Sequence, residues 1–373
     1  MTENLRLHAA WAPRTEPDGT VVVASPMSRR RLRIGAPGPH VHQALQRLRS
    51  GVALDGDGRP VEGTDGQRAA VDMLRPALEQ LGAVVRRAPD DDVMAMDGSQ
   101  LYDRQVRFFS YYETDRTSGL AMNERLQRAT VMVCGLGGLG GWIALLCARL
   151  GIRTIVGIDP DDVELSNLHR QILYGTEHIG SPKASAARDA LTRVDPQVSF
   201  VGHRLWIAEP EDVEPLLRGV DLVINPFPYI PSFARAARAV AVAAVRAGVP
   251  ALNMPMTHGV GPLTVPGETA CIECAWARLR DTYRVDGDNA VSAPSWAERG
   301  FLAALAPRQA VSGGLAVWEA VRFLSGMSRP RTLDGVAHLD ISDYSGHDFL
   351  AVARDPNCTL CGDARPGTTG DPS

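Results

Sequence analysis

The sequence predicts an α/β protein: a mostly parallel sheet with helices on both faces, preceded by a small α+β module. Three observations predict it. VMVC at 131–134 runs into the glycine cluster GLGGLGG, an apolar helix pattern follows, and the β-prone run TIVGID ends on Asp159. Strand, glycine turn, helix and acid-ended strand in that order make a nucleotide-binding βαβ unit. Beyond it, helix and strand patterns alternate, which sets parallel strands side by side with their crossover helices on the two faces. Before it, two stretches rich in Asp and Gly, ALDGDGRPVEGTDG from Ala53 and APDDDVMAMDGSQ from Ala88, lack periodic apolar residues and mark breaks. The second break is the expected boundary between a module at 1–95 and a main domain at 96–362, with a tail at 363–373 expected to be disordered.

Composition sets the outer bounds. A chain of 373 residues with 45% hydrophobic content can bury cores for two or three domains. Its net charge of −4 comes from intermixed acids and bases, so no basic face for nucleic acid is expected. No apolar run reaches the roughly 20 residues of a membrane span, and the start MTENLRLHAAW lacks a signal peptide's basic and apolar regions. The expected compartment is therefore the cytoplasm, with neither membrane nor nucleic acid as partner. Of six cysteines, four form two CxxC pairs, which in a reducing compartment point to a metal before a disulfide.

In chain order, TVVVAS and RRLRIG read as strands, HVHQALQRLRS as a short helix, GQRAAVDMLRPALEQLG as a helix closed by Gly82, and AVVRR as a further strand. In the main domain the βαβ unit is followed by the helix SPKASAARDALTRV, the strands QVSFVGH and DLVINP, the helix SFARAARAVAVAAVRAG and the strand ALNMPM. Gly135, Gly137 and Gly140 make a GxGxxG turn that, with Gly138, lets backbone N–H groups approach a phosphate at a helix N-terminus. Asp159 ends the next strand, where a carboxylate accepts hydrogen bonds from ribose hydroxyls. Taken alone, this pattern reads as NAD or FAD, and the identity of the nucleotide has to come from elsewhere.

The residues after Asp159 decide it. DPDDVELSNLHRQ places Asp161, Asn167, Arg170 and Gln171 directly behind the acid, a polar, cation-bearing segment that a dinucleotide does not need and a triphosphate does. The next helix is expected to take Ser181 as N-cap and Pro182 as first residue. Lys183 then stands in the first turn, where the helix dipole disfavours a cation. A bound phosphate reverses that sign; a solvated surface lysine is the alternative. His169 and His258 read as ordinary polar residues, and Cys134 and Cys147 as core.

DPDDVELSNLHRQ, the following Gly180, Ser181, Pro182 and Lys183, the GLGGLG loop and YDRQ at Tyr102 resemble the ThiF/MoeB adenylyltransferases, relatives of the ubiquitin-activating enzymes. PGETACIEC from Pro266, CTLCG at Cys358 and SGGLAVWEAVRFLSG from Ser312 continue the match, so that it covers about Gln100 to Gly362. The resemblance implies a Rossmann-like domain that binds ATP across the glycine loop and forms an acyl adenylate on a carboxylate of a peptide or small carrier protein. It assigns the ribose to Asp159, the phosphates to Asn167, Arg170 and Lys183, and a structural Zn²⁺ to Cys271, Cys274, Cys358 and Cys361, four thiolates with no open position. Arg104 matches an arginine supplied across a subunit interface, which implies a homodimer. Arg104, Arg170 and Lys183 are the expected catalytic residues. No cysteine matches a thioester-forming nucleophile.

The pattern departs at one place. The family's Mg²⁺-binding aspartate is matched here by Pro228. Asn225 is the nearby polar candidate, and it adds no charge to hold a metal; Asp221 lies seven residues back along the strand, near the opposite edge of the sheet. Asp161 or substrate groups are the remaining candidates for a Mg²⁺ site. The N-terminal module resembles the small winged-helix modules that bind leader peptides in ribosomal peptide natural-product pathways, through arrangement rather than motif; an exposed strand edge beside a helix accepts an extended peptide by β-augmentation, and a dimerisation arm is the alternative. Two functions follow. One is an adenylyltransferase in peptide natural-product or sulfur-transfer biosynthesis. The other is a degenerate leader-peptide-binding partner for a separate modifying enzyme such as a YcaO-type cyclodehydratase. An NAD or FAD oxidoreductase leaves SNLHRQ and Lys183 without a task.

Overall fold

The computed structural model describes residues 3–35, 37–87, 100–230, 232–256, 259–283, 304–339 and 347–362. The expected boundary near residue 95, His258 and the tail from Asp363 lie outside them. The chain forms two compact units, Met1–Arg125 and Leu126–Ser373.

The first unit contains β1 (Glu3–Leu7), β2 (Ala12–Thr15), β3 (Val21–Ala24), β4 (Arg31–Ile34), α1 (Pro39–Ser50), β5 (Val52–Leu54), α2 (Asp65–Leu81), β6 (Val84–Arg87) and α3 (Asp103–Phe109). The strands make two three-stranded antiparallel sheets, in the orders β5-β1-β6 and β2-β3-β4. Helix α2 starts on a reciprocal cap, in which Gln67 N–H donates to the Thr64 hydroxyl at 3.4 Å and Thr64 N–H to Gln67 Oε1 at 3.1 Å, and it ends at Gly82 with φ of 68°. Leu5, Leu7, Val21, Val23, Leu45, Leu48, Leu74 and Leu78 share one core. β1, β2 and β5 are strands that the sequence reading did not anticipate. In ENLRL the polar Arg6 hides the pattern, because Arg6 is itself buried and bonds both carboxylate oxygens of Glu113 at 2.9 Å. Removing either partner of such a pair costs about 3–5 kcal/mol. The same pair explains why the segment after residue 100 belongs in space to the N-terminal unit.

Helix α4 (Gly119–Arg128) leads into the second unit. There follow β7 (Thr130–Cys134), α5 (Gly138–Arg149), β8 (Thr154–Ile158), α6 (Lys183–Val194), β9 (Ser199–His203), β10 (Leu222–Asn225), α7 (Ala234–Ala247), β11 (Ala251–Asn253), β12 (Gly259–Val260), β13 (Leu263–Thr264), α8 (Ile272–Tyr283), α9 (Ala306–Ser325), β14 (Gly335–Leu339) and β15 (His347–Ala351). The main sheet has the order β13-β11-β10-β7-β8-β9 and is parallel except for β13. From β7 the chain builds outward through β8 to β9, then returns to the other side of β7 for β10 and β11. That reversal, between β7 and β10, is where an open α/β sheet leaves a crevice at its carboxyl edge. Val131, Met132 and Val133 at its centre are fully buried, and α5 packs against α6 and α9. Cys134 and Cys147 are core residues whose thiols burial pushes up to about 12. The small sheet β12-β14-β15 was not foreseen.

One capping expectation is corrected. Helix α6 starts at Lys183, with Pro182 rather than Ser181 in the cap position and no side-chain cap. Pro182 is extended and bridges to Asp162, and the Ser181 carbonyl accepts from Val163 N–H at 2.9 Å, so the strand-like pairing delays the helix by one residue.

Candidate active site

At the carboxyl ends of β7, β8 and β10 lies a cavity of about 430 Å³, within the usual range for small-molecule sites. Its floor is the glycine turn. Gly135 has φ of 90°, which only glycine adopts freely, and its N–H donates to the Ile158 carbonyl at 2.6 Å. Gly137 and Gly138 also line the cavity. Gly140 does not: a Cβ there would stand 1.7 Å from the Gly135 carbonyl oxygen, so this glycine serves the close approach of helix and loop.

Asp159 holds the turn in place. Its carboxylate accepts from Leu136 N–H at 2.7 Å and Asp161 N–H at 3.0 Å. Burial raises its pKa above the ordinary value, and Lys183 opposes that rise. The Lys183 ammonium lies 2.8 Å from Asp161 and 3.8 Å from Asp159, with only 6% of its side chain exposed. These two carboxylates therefore offset the unfavourable first-turn dipole that the sequence reading reserved for a phosphate, and they pre-position the cation facing the cavity. Tyr174, whose phenol burial keeps protonated, donates to the Leu136 carbonyl at 2.9 Å and braces the same loop.

Asn167, Arg170 and Gln171 sit on the turn that follows. Asn167 is buried; its amide oxygen accepts from Glu164 N–H at 3.2 Å. Arg170 is half-buried and donates to the Ser166 carbonyl at 2.6 Å. His169, within 2.8 Å of Arg170, is not a cavity residue. Gln171 is 4% exposed beside Gly137, and among the described residues its Oε1 has no hydrogen-bond partner. A buried acceptor of this kind costs about 1–3 kcal/mol.

The opposite wall is apolar. Pro226, Phe227, Pro228, Phe233, Ala236 and Met256 line it, and Phe227 stacks on Phe233 with ring centroids 5.8 Å apart and planes 12° apart. Asn225 is not among the cavity residues. It is fully buried, and its amide donates to the Ala237 carbonyl at 2.9 Å and to Asn253 at 3.1 Å. The structure thus corrects its assignment to the nucleotide: Asn225 ties β10 to α7 and β11. Asp221 accepts from Thr130 N–H at 2.8 Å, at the amino ends of β7 and β10, far from the cavity as its position on the strand implies. The β10 exit consequently offers no carboxylate, and these residues do not fit a Mg²⁺ site of oxygen ligands. The sequence reading missed Leu205, Trp206 and Ile207 beyond β9, and Arg308 and Gln309 at the start of α9; none stands in a motif. Arg104 belongs to the first unit, exposed on α3.

Cys271, Cys274, Cys358 and Cys361 come together, with all four sulfurs within 4.8 Å of one another and separations of 3.9, 3.6 and 3.5 Å for three pairs. A tetrahedral Zn²⁺ with bonds near 2.3 Å sets its sulfurs about 3.8 Å apart, so the cluster fits zinc. Ala270, Val336 and Val352 pack around it, where a metal would clip the start of α8 to the loop after β15.

Residues 102–360 match the ThiF family. The sulfur carrier protein adenylyltransferase of Thermus thermophilus is 32% identical over 64% of this chain and 84% of its own length. The sulfur carrier protein ThiS adenylyltransferase of Escherichia coli is 30% identical over 67% and 90%. Among solved structures, E. coli MccB with AMPCPP and selenomethionine MccA superposes with a TM-score of 0.70 at 18% identity, covering 96% of this chain and 100% of MccB. PaaA gives 0.66 at 21%, covering 92% and 99%. Among the described residues no helix is long and apolar enough to cross a membrane.

Proposed function

The chain belongs to the ThiF family, and from that premise we propose that it is an ATP-dependent adenylyltransferase that activates a carboxylate of a peptide or small carrier protein. One observation carries the reading: the glycine turn, Arg170 and the buried Lys183 ammonium line one cavity. Asp159 serves the ribose, Asn167 and Arg170 the phosphates, and Lys183 the α- and β-phosphates. A substrate carboxylate oxygen attacks the α-phosphorus from the apolar β10 side. The bond to the bridging oxygen breaks, pyrophosphate leaves with the electron pair, and an acyl adenylate remains. The names of the relatives agree: two are adenylyltransferases of sulfur carriers, and MccB has been solved with ATP and with N-formylated MccA.

The first unit supports a peptide substrate. β2 is an edge strand, and Arg14, His42, Gln46 and Arg49 line a groove of about 150 Å³ between it and α1, an arrangement suited to β-augmentation. In a cytoplasmic homodimer, Arg104 reaches the partner's site; mixing Arg104→Ala with Lys183→Ala chains should then restore part of the activity that each lacks alone. Substrate-dependent exchange of labelled pyrophosphate into ATP tests the main reading, and tight NAD binding without ATP binding would sink it. The apolar β10 exit favours a second reading, a leader-peptide-binding partner of a separate modifying enzyme. A folded Pro228→Asp variant that gains exchange over an inactive wild type would decide for that one.

A further inference from the structure

We infer that the carboxylate activated in this cavity is the terminal carboxylate of a residue with a bulky apolar side chain, of leucine or phenylalanine size, which lies against the stacked Phe227 and Phe233. The inference rests on the adenylation reading above and names the class of substrate that the same site takes.

The wall at the β10 exit is dry in its backbone as well as its side chains. The chain leaves the sheet through Pro226, Phe227 and Pro228, and proline has no N–H to offer a polar ligand. The backbone that follows is spent within the protein: Tyr229 N–H donates to the Pro255 carbonyl at 2.8 Å and Ile230 N–H to the Pro228 carbonyl at 2.9 Å. Phe227, Phe233 and Met256 are half-buried and line the cavity, so they leave apolar surface open towards it. Phe227 is held from behind by the core that includes Val223 and Val240, and from the side by its stack on Phe233. Ser232 and Arg308 line the cavity too, and each already has a partner, so neither calls for a polar or acidic side chain on the substrate.

The aromatic pair also stands at the reacting end. A Cβ on Gly135 would lie 3.1 Å from the Phe227 ring, which puts that ring beside the glycine turn, where backbone N–H groups receive a phosphate. Asp159 and Lys183 hold the β8 side of the same turn. A carboxylate that attacks the α-phosphorus from the β10 side is bonded to the α-carbon that carries its own side chain, so that side chain meets Phe227. Glycine leaves the rings uncovered, and a charged side chain gives up water for a wall with no partner. Leucine covers the wall, and phenylalanine can in addition pack its ring against the aromatic pair.

The test is calorimetric titration of the full chain with ATP and with three N-acetyl-aminoacyl sulfamoyl adenosines, stable mimics of an acyl adenylate, that carry glycine, aspartate and phenylalanine. Wild type should bind the phenylalanine mimic about 10- to 100-fold more tightly than the glycine one, as expected for burying one large apolar side chain, and the aspartate mimic no more tightly than glycine. Phe227→Ala should narrow the phenylalanine-to-glycine ratio to within about threefold and leave ATP affinity within a few-fold. Met256→Ala should narrow the ratio as well, and serves if the first variant does not fold. Wild type that binds ATP but shows no preference for the phenylalanine mimic overturns the inference, as does a preference for aspartate or a folded variant that keeps the full ratio. Equal losses of ATP and of the phenylalanine mimic in Phe227→Ala also overturn it, because the aromatic wall would then hold the base. Absence of binding by ATP and by all three mimics fails the nucleotide reading itself.

Discussion

Strands β8 and β10 leave the sheet at the same end, on either side of β7, and each does so through an Ile-x-Pro step: Ile158-Asp159-Pro160 and Ile224-Asn225-Pro226. In both, the middle residue is a buried polar side chain bonded to backbone. Asp159 accepts from the glycine turn, whereas Asn225 donates to the α7 carbonyl of Ala237. The next two residues are Asp161 and Asp162 in one exit and Phe227 and Pro228 in the other. One side of the cavity is thereby charged and the other dry. The comparison teaches that a shared backbone frame sets where a site lies, while two side chains per exit set what each wall can bind. The proposed function would use that asymmetry by placing the nucleotide at the charged wall and the acyl group at the apolar one.

The largest effect tests whether the asymmetry is local. Metal analysis should find one zinc per chain, and Cys271→Ser should lose it along with much of the stability, since structural zinc binding is worth about 10 kcal/mol or more. Any folded fraction should still bind ATP within about twofold of wild type, because none of the four cysteines lines the cavity. Finding no zinc would remove the site.

Asn225→Asp makes the middle residues of the two exits alike and should be tolerated badly. The position is fully buried and faces the Ala237 carbonyl, so a carboxylate there is uncompensated and should cost about 3–5 kcal/mol in urea unfolding. Burial favours the protonated form, so the cost should grow as pH rises from acid to neutral. A variant as stable as wild type would show that the β10 exit accepts charge after all.

On the nucleotide side, Lys183→Ala should weaken ATP binding by about 100-fold, some 2.7 kcal/mol. Phe227→Ala, across the cavity, should leave ATP affinity within a few-fold and instead raise KM for the carboxylate substrate. Equal losses of ATP affinity in the two variants would break the division into two ends.

The smallest effect is in pH dependence. Burial raises the Asp159 pKa, so the folded state holds its proton more tightly than the unfolded chain. That contribution to stability is present below the ordinary value of 3.8 and is lost as pH rises through the higher folded value. The stability of wild type relative to Asp159→Asn should therefore fall between acid and neutral pH. A difference that stays flat would mean that Lys183 and the two backbone donors fully offset the burial.

Much of the main domain was legible because its signals are local. The glycine turn, the alternating strands and helices, the zinc-type CxxC pairs and the cation-bearing segment after Asp159 each lie within a few residues of chain, and the sheet assembles around them. The misses share a cause. β1 was hidden because its Arg6 is buried through a pairing with Glu113, more than a hundred residues away. Asn225 was assigned to the nucleotide because a strand-end amide looks available until α7 packs over it.

The order of residues along the chain was enough to determine the α/β class, the place of the glycine turn and the set of four cysteines, since backbone propensity and apolar periodicity act over one or two turns. Which side chains face the cavity was decided only in three dimensions. Lys183 meets two carboxylates, Asn225 turns into the core, and Arg308 arrives from α9 because packing brings distant segments within a few ångströms, and hydrogen-bond energy depends on that distance and direction rather than on separation along the chain.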